Sequence, residues 1–423
     1  MEQSSFTRRR WLATALTSAA AINLRPTRLA AQSTKSIKIG FSESLTGGLA
    51  GSGKQALLTK QIWRDEVNAA GGLLGRKIEL VYYDDQSSPS QAPGIYTKLL
   101  DVDKVDVVLG NGTNVTAAVM SGVIQRNKLI LTPFALAVNA TFKYPRYFQT
   151  MPYGPNGKEQ FGAGFFGAAM TLDPKPQSTA LVGADAEFAI NALEGARTVA
   201  KRLGLRVVYD RTYPPNMIEF GTVIRAIQAT NPDLVFVASY PPDSSGILRA
   251  ALESRLRTRL FGGGMVGLQY AALKQHFGEG LNGVVSYELF VRAPTLDLPG
   301  IPEFVARYRA RAGEADVDQL GHYVPPSMFS TMQILEQAIR DTGSIEDDTL
   351  TDYMRNSTFK TVMGNIKFGP DGEWTEGRIL MTQYQNVRGR GLDQFDRAGT
   401  QVIVWPPQHR SGTVRAPFPP EKN

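Results

Sequence analysis

Ile37-Lys38-Ile39-Gly40-Phe41, followed by Thr46-Gly47-Gly48-Leu49-Ala50-Gly51-Ser52-Gly53, is the stretch on which the fold turns. The first five residues read as a short strand, and the glycines after them read as a loop. A helix is expected from about Lys54, stopping at Gly71-Gly72, which are good C-capping residues. Lys77 to Tyr83 alternates into a second strand. Ala92, Ile95 and Leu99 keep helical spacing, and Val105 to Leu109 is a strand of the buried type. Another helix begins near Val115, and Leu129 to Leu131 gives a fourth strand before Thr132-Pro133. Strict alternation of strand and helix argues for an α/β fold, a parallel sheet covered by helices on both faces.

The pattern then restarts. Tyr147 to Met151 looks like a crossing strand, and a helix is expected from about Asn156 to Met170. Thr179 to Val182, Arg206 to Tyr209 and Leu234 to Val237 are strands with helical segments between them. Two βα sets of similar size imply two similar lobes rather than one long sheet. A chain of 423 residues, beyond the usual reach of one core, agrees. A second crossing is expected near Val284-Val285-Ser286-Tyr287 and a third over Thr361 to Phe368, ahead of the turn Gly369-Pro370-Asp371-Gly372. Met328, Met332, Leu335 and Ile339 share one helical face and belong to a core. Leu380 to Tyr384 closes a sheet, and the tail beyond Trp405 is expected along the surface. The expected division is 1–31 as a leader, 32–150 plus 287–363 as the first lobe, and 151–286 plus 364–423 as the second lobe and tail.

Composition narrows the function. There is no cysteine, hence no disulfide, thiolate metal site or cysteine nucleophile. His276, His322 and His409 lie far apart and lack ligand spacing, so neither a metal site nor a serine–histidine triad is expected. The formal charge is +7, but the first 31 residues hold five arginines against one glutamate, a net of +4, leaving +3 for the other 392. No basic run follows, so nucleic acid is not an expected partner. Thr7-Arg8-Arg9-Arg10-Trp11-Leu12, a weakly apolar stretch to Leu24, and Leu29-Ala30-Ala31 resemble a twin-arginine export signal cleaved near Ala31. The apolar run is too short and weak to span a membrane. An exported, periplasmic, monomeric protein is expected.

In open parallel sheets, ligands sit beyond the carboxyl ends of the strands. Three segments fall there in the first lobe: 46–53, Gly110-Asn111-Gly112-Thr113-Asn114-Val115-Thr116, and Thr132-Pro133-Phe134-Ala135-Leu136-Ala137. Free N–H groups, Thr and Asn at helix starts favour a carboxylate. Gly48 to Lys54 also fits the phosphate-loop spacing GxxxxGK, but Gln55 stands where Ser or Thr must hold Mg²⁺, so nucleotide binding is not expected. No catalytic residues and no cofactor are expected.

These residues resemble the branched-chain amino-acid type of periplasmic solute-binding protein serving ABC transporters. The resemblance rests on Ile39-Gly40 with Leu45-Thr46-Gly47, on Asn68-Ala69-Ala70-Gly71-Gly72-Leu73-Leu74-Gly75-Arg76, and on Tyr83-Asp84-Asp85-Gln86 with Pro89. It spans roughly 36–384 and implies an α/β fold of two Rossmann-like, doubly wound lobes joined by three crossovers, the type I fold, with a small-molecule ligand and a membrane permease as partners. It implies a ligand carboxylate on Ser52, Thr113, Asn114, Thr116, Ala135 and Ala137, with Phe188 and Tyr240 closing from the second lobe. Amino-acid-binding members pair the ligand ammonium with an acid in the loop after the strand near Leu260. Here that loop reads Phe261-Gly262-Gly263-Gly264-Met265-Val266, without a carboxylate. With Met265 and the aromatics nearby, an aromatic or aliphatic organic acid is the favoured ligand. An amino acid remains the alternative, with Glu187 or Asp243 supplying the charge, and a sensor subunit is the alternative to a transport component.

Overall fold

Ile37, Ile39 and Phe41 have no exposed surface, because the strand that carries them is covered on both sides by its own lobe. The computed structural model describes residues 35–215 and 217–421; the leader expected over 1–31 lies outside them. Strands β1 (Ile37–Glu43), β2 (Ile78–Asp84), β3 (Val107–Leu109), β4 (Ile130–Thr132) and β5 (Tyr147–Gln149) form a parallel sheet in the order β2-β1-β3-β4-β5. Helices α1 (Ala50–Ala69), α2 (Ala92–Asp101), α3 (Gly112–Gln125) and the short α4 (Val138–Phe142) connect them.

The second lobe repeats the scheme. It contains α5 (Gln160–Ala169), β6 (Ser178–Ala184), α6 (Glu187–Arg202), β7 (Arg206–Tyr213), α7 (Gly221–Ala229), β8 (Leu234–Ser239), α8 (Pro241–Glu253), β9 (Leu260–Met265), α9 (Ala271–Phe277) and β10 (Val284–Glu288). Its parallel strands run β7-β6-β8-β9-β10, the same order as the first sheet, and each sheet reverses direction beside its first strand. The chain then returns as α10 (Gly300–Ala312), α11 (Val324–Thr342) and α12 (Asp347–Asn356), with α10 and α11 packed on α1. After the hairpin β11 (Thr358–Thr361) and β12 (Gly364–Lys367) it crosses once more. β13 (Leu380–Tyr384) and β14 (Gln401–Trp405) extend the second sheet antiparallel from β10 to seven strands.

The hinge is therefore made of three connections, after β5, after β10 and after β12. Two of them touch: Gln149 N–H donates to Gly372 O (2.9 Å) and Arg378 N–H to Pro152 O (2.8 Å).

Four local expectations change. Helix α1 begins at Ala50, so Gly51 and Gly53 are helical rather than loop residues. A Cβ on Gly53 would stand 2.0 Å from Ser44 O, so glycine here lets the helix lie directly on the end of β1. The stretch 361–368 is not a crossing strand but half of the β11–β12 hairpin, over which Phe359 and Ile366 are buried; the crossing follows it. The glycines at 262–264 lie within β9, not in a loop. At Gly262 a Cβ would strike Val285 O at 1.9 Å, and at Gly263 the Phe236 ring at 2.6 Å. The tail is not wholly superficial either, since Phe418 is fully buried and stacked on Phe261 with ring centroids 4.7 Å apart.

Candidate ligand-binding cleft

The carboxyl ends of both sheets face one another across a cleft of about 870 Å³, counting its open mouth. From the first lobe, Ser44, Ser52 and the opening turn of α3 form the wall; from the second come Phe188, Tyr240, Val266, Tyr270 and Tyr287. Phe134 and Tyr323 fill the side nearest α11, with their rings 5.5 Å apart.

Helix α3 shapes the polar wall. Its N-cap, Asn111, is extended (φ −144°, ψ 106°) and makes no side-chain cap, so the N–H groups of the first turn have neither an intrahelical partner nor a capping oxygen. Asn111, Gly112, Thr113 and Asn114 all line the cleft. Thr113 Oγ1 accepts the Leu136 N–H (3.0 Å), which fixes the following loop. Asn114 reaches across: its Oδ1 accepts the Phe188 N–H (3.1 Å) and the Tyr240 hydroxyl (2.9 Å). The Ser52 and Tyr270 hydroxyls are hydrogen-bonded, and those of Tyr287 and Tyr323 lie 2.6 Å apart. These contacts hold the lobes together over the cleft.

The lining contains no Asp, Glu, Lys or Arg. Charges stand one layer back. Asp85 takes the hydroxyls of Ser44 (2.6 Å) and Ser42 (2.8 Å), and Glu43 pairs with Lys60, both without exposed side-chain surface. Burial pushes Glu43 up to about 7 and lowers Lys60. Burial also raises the phenols of Tyr153, Tyr240, Tyr270, Tyr287 and Tyr323, so around the cleft they remain protonated hydrogen-bond donors.

Of the residues singled out in the sequence, Ser52, Thr113, Asn114, Phe188 and Tyr240 meet in this cleft. Thr116, Ala135, Ala137 and Met265 do not line it. Thr116 faces the sheet, 3.3 Å from the Thr132 hydroxyl, while Ala135 is fully buried and its carbonyl accepts the Tyr147 hydroxyl. Ala137 caps α4 at φ 56°. Met265 is buried in β9, and its neighbour Val266 reaches the cleft instead. The two acids considered as counter-charges are engaged elsewhere: Glu187 accepts from Asn191 (3.2 Å), and buried Asp243 accepts the Tyr213 hydroxyl (3.1 Å). The segment that follows β9, Val266-Gly267-Leu268-Gln269-Tyr270, also has no carboxylate. Lys54 of the phosphate-loop pattern is exposed on α1. The sequence reading missed Tyr153, Tyr270, Tyr287 and Tyr323. Their one local signal is a tyrosine placed at or just beyond a strand or at a helix start.

Among the described residues no three His, Asp or Glu side chains gather as a metal site, and no helix is long and apolar enough to cross a membrane. Residues 36–388 match the family model described as periplasmic binding protein. A Leu/Ile/Val-binding protein homolog 8 of Brucella abortus is 25% identical over 364 residues, 83% of this chain and 88% of the relative. A solute-binding protein of an R. palustris ABC transporter, solved with benzoate, superposes with a TM-score of 0.73 at 17% identity, covering 91% of this chain and 98% of its own. The branched-chain amino acid transporter protein LivJ of Streptococcus pneumoniae, solved with isoleucine, gives 0.70 at 20% identity, covering 83% and 97%. With the repeated sheet order, the shared cleft and a family match across both lobes, the chain belongs to the periplasmic binding protein family.

Proposed function

We propose that the protein is the substrate-binding component of an ABC transporter, working in the periplasm, and that its ligand is a small organic acid without an amine. The observation that carries this reading is the uncharged cleft lining. A buried ammonium without a counter-charge is costly, whereas a carboxylate is well served by the open first turn of α3, by Ser and Thr hydroxyls and by protonated phenols. The aromatic second wall, with Phe188 and Tyr240 5.8 Å apart edge to face, suits an aromatic or branched aliphatic body. A solved neighbour's benzoate supports the aromatic choice, and another's isoleucine keeps the amino acid as the competing outcome.

The mechanism is hinge closure. Ligand settles on the α3 turn, the second lobe swings about the three connections, and Asn114 takes its two donors from the opposite lobe. The closed form is what a permease recognises. Neither bond making nor bond breaking is required of any residue. Calorimetry of the mature chain with benzoate, hydroxybenzoates, branched aliphatic acids and leucine tests the ligand class. Binding of the acids with no heat from leucine supports it; tight leucine binding with none from the acids overturns it.

A further inference from the structure

Beside the hinge lies a second, open pocket, of about 1020 Å³ counting its mouth, which shares no lining residue with the cleft. Its walls come from the β11–β12 hairpin, the third connection and the segment after β14. Arg378 of the third connection lies in it. Its Nη2 donates to Met363 O (2.7 Å) and its guanidinium sits 5.7 Å from the Trp374 ring centroid. The remaining guanidinium N–H groups have no hydrogen-bond partner among the described residues, and no carboxylate lies within ion-pairing distance.

Three other cations are treated differently. Lys60 has Glu43, Lys274 has Glu288 at 3.7 Å, and Arg309 has Asp396 at 2.8 Å. Burial lowers Arg378 to about 10, with no neighbouring charge acting against it. Arg378 is half-buried, and the N–H groups it does not spend on Met363 are open to an incoming acceptor. The same pocket is lined by further donors, Lys367, Asn365, Thr375 and Gln408, and by one acid, Glu376. The set is rich in donors and net positive.

We propose that this hinge pocket is a second binding site, for a small oxyanion such as phosphate or sulfate, held by Arg378 and Lys367. An oxyanion there would accept from the free edge of the guanidinium, the geometry arginine offers best. It would tie the hairpin to the third connection. Calorimetry of the full chain with sodium sulfate and sodium phosphate, against chloride at matched ionic strength, tests the site. Saturable binding is expected, weakened about tenfold or more by Arg378→Met and about threefold by Lys367→Gln, and kept by Asn114→Ala in the cleft. Absence of saturable heat in the wild type overturns the proposal, as does wild-type affinity kept by both Lys367→Gln and Arg378→Met. Loss of binding in Asn114→Ala places the anion in the cleft and overturns it too. If Arg378→Met fails to fold, the exposed Lys367→Gln decides alone.

Discussion

Each lobe hides a lysine–glutamate pair directly behind its side of the cleft. In the first, Glu43 ends β1 next to Ser44, and Lys60 comes from α1 two turns beyond Ser52. In the second, Glu288 ends β10 next to Tyr287, and Lys274 comes from α9 one turn beyond Tyr270. The placements correspond, but the contacts differ. Glu43 and Lys60 touch through Oε2, and Glu43 Oε1 has no partner among the described residues. Lys274 and Glu288 are 3.7 Å apart with Gln401 between them, donating to Glu288 (2.6 Å) and accepting from Lys274 (2.9 Å). A wall can thus be kept free of charge while charge fixes the strand end and helix behind it. The direct pair is the more brittle arrangement, since losing either member leaves the other with nothing.

Chemical denaturation breaks the comparison most sharply. Lys60→Met should cost about 3–5 kcal/mol, because an unpaired carboxylate is left buried, while Lys274→Met should cost about 2 kcal/mol, because the Gln401 amide still serves Glu288. Equal costs would end the distinction. The sign with pH follows from Glu43. Its folded pKa, raised to about 7 and raised further without Lys60, makes its contribution present at low pH and lost as pH rises, so the Lys60→Met penalty should be larger at pH 8 than at pH 5.

Across the cleft, Asn114→Ala removes two bonds between the walls and should weaken ligand binding about 10- to 100-fold by calorimetry. A change under about threefold would mean the walls close without it. The hinge offers a contrast, a buried acid with no cation. Glu373 accepts from Gln149 (2.7 Å), and burial raises it to about 8, so its stabilising contribution falls as pH climbs from the ordinary carboxylate range to 8. Glu373→Gln should melt above the wild type at pH 8 and approach it at pH 5. A constant offset would show that its titration is uncoupled from folding. The smallest effect is expected at the Ser52–Tyr270 contact, where Ser52→Ala and Tyr270→Phe should each weaken binding about fivefold, and together little more than either alone.

The alternation that decides the fold was readable because both sheets are built from short apolar runs divided by helical periods. Ile37-Lys38-Ile39-Gly40-Phe41 is covered on both faces, as its composition implies. Where reading failed, the deciding contact is distant in sequence. Glycine argues against a strand interior, so 262–264 read as a loop; the reason for glycine is the Val285 carbonyl and the Phe236 ring standing where side chains would go. The hairpin at 358–367 failed for a different reason, since buried Phe359 and Ile366 suit a crossing strand as well as a hairpin. At the cleft, the order of strands and helices marked the segments 46–53 and 110–116, and the resemblance named Ser52, Thr113 and Asn114 within them; the three line one wall of the cleft. Tyr270, Tyr287 and Tyr323 come from three separate segments that meet only because the hinge folds them together. Their one local mark, a place at a strand end or helix start, does not say that they converge.

The buried ring of Phe418 has a bearing on how the molecule is made. It exchanges backbone bonds with Thr258 (3.1 and 2.8 Å) and covers Phe261 of β9, while Arg415 N–H donates to Gln383 of β13 (2.7 Å). A sheet whose central strands are synthesised early is thus finished by a residue more than a hundred positions later. Until that residue has left the ribosome, Phe261 is an uncovered aromatic on an incomplete sheet, with a long loop still to close. The first lobe waits less long: its five-stranded sheet ends at Gln149 and the returning helices that cover it end at Asn356, so it is complete before the second lobe receives its final stitch.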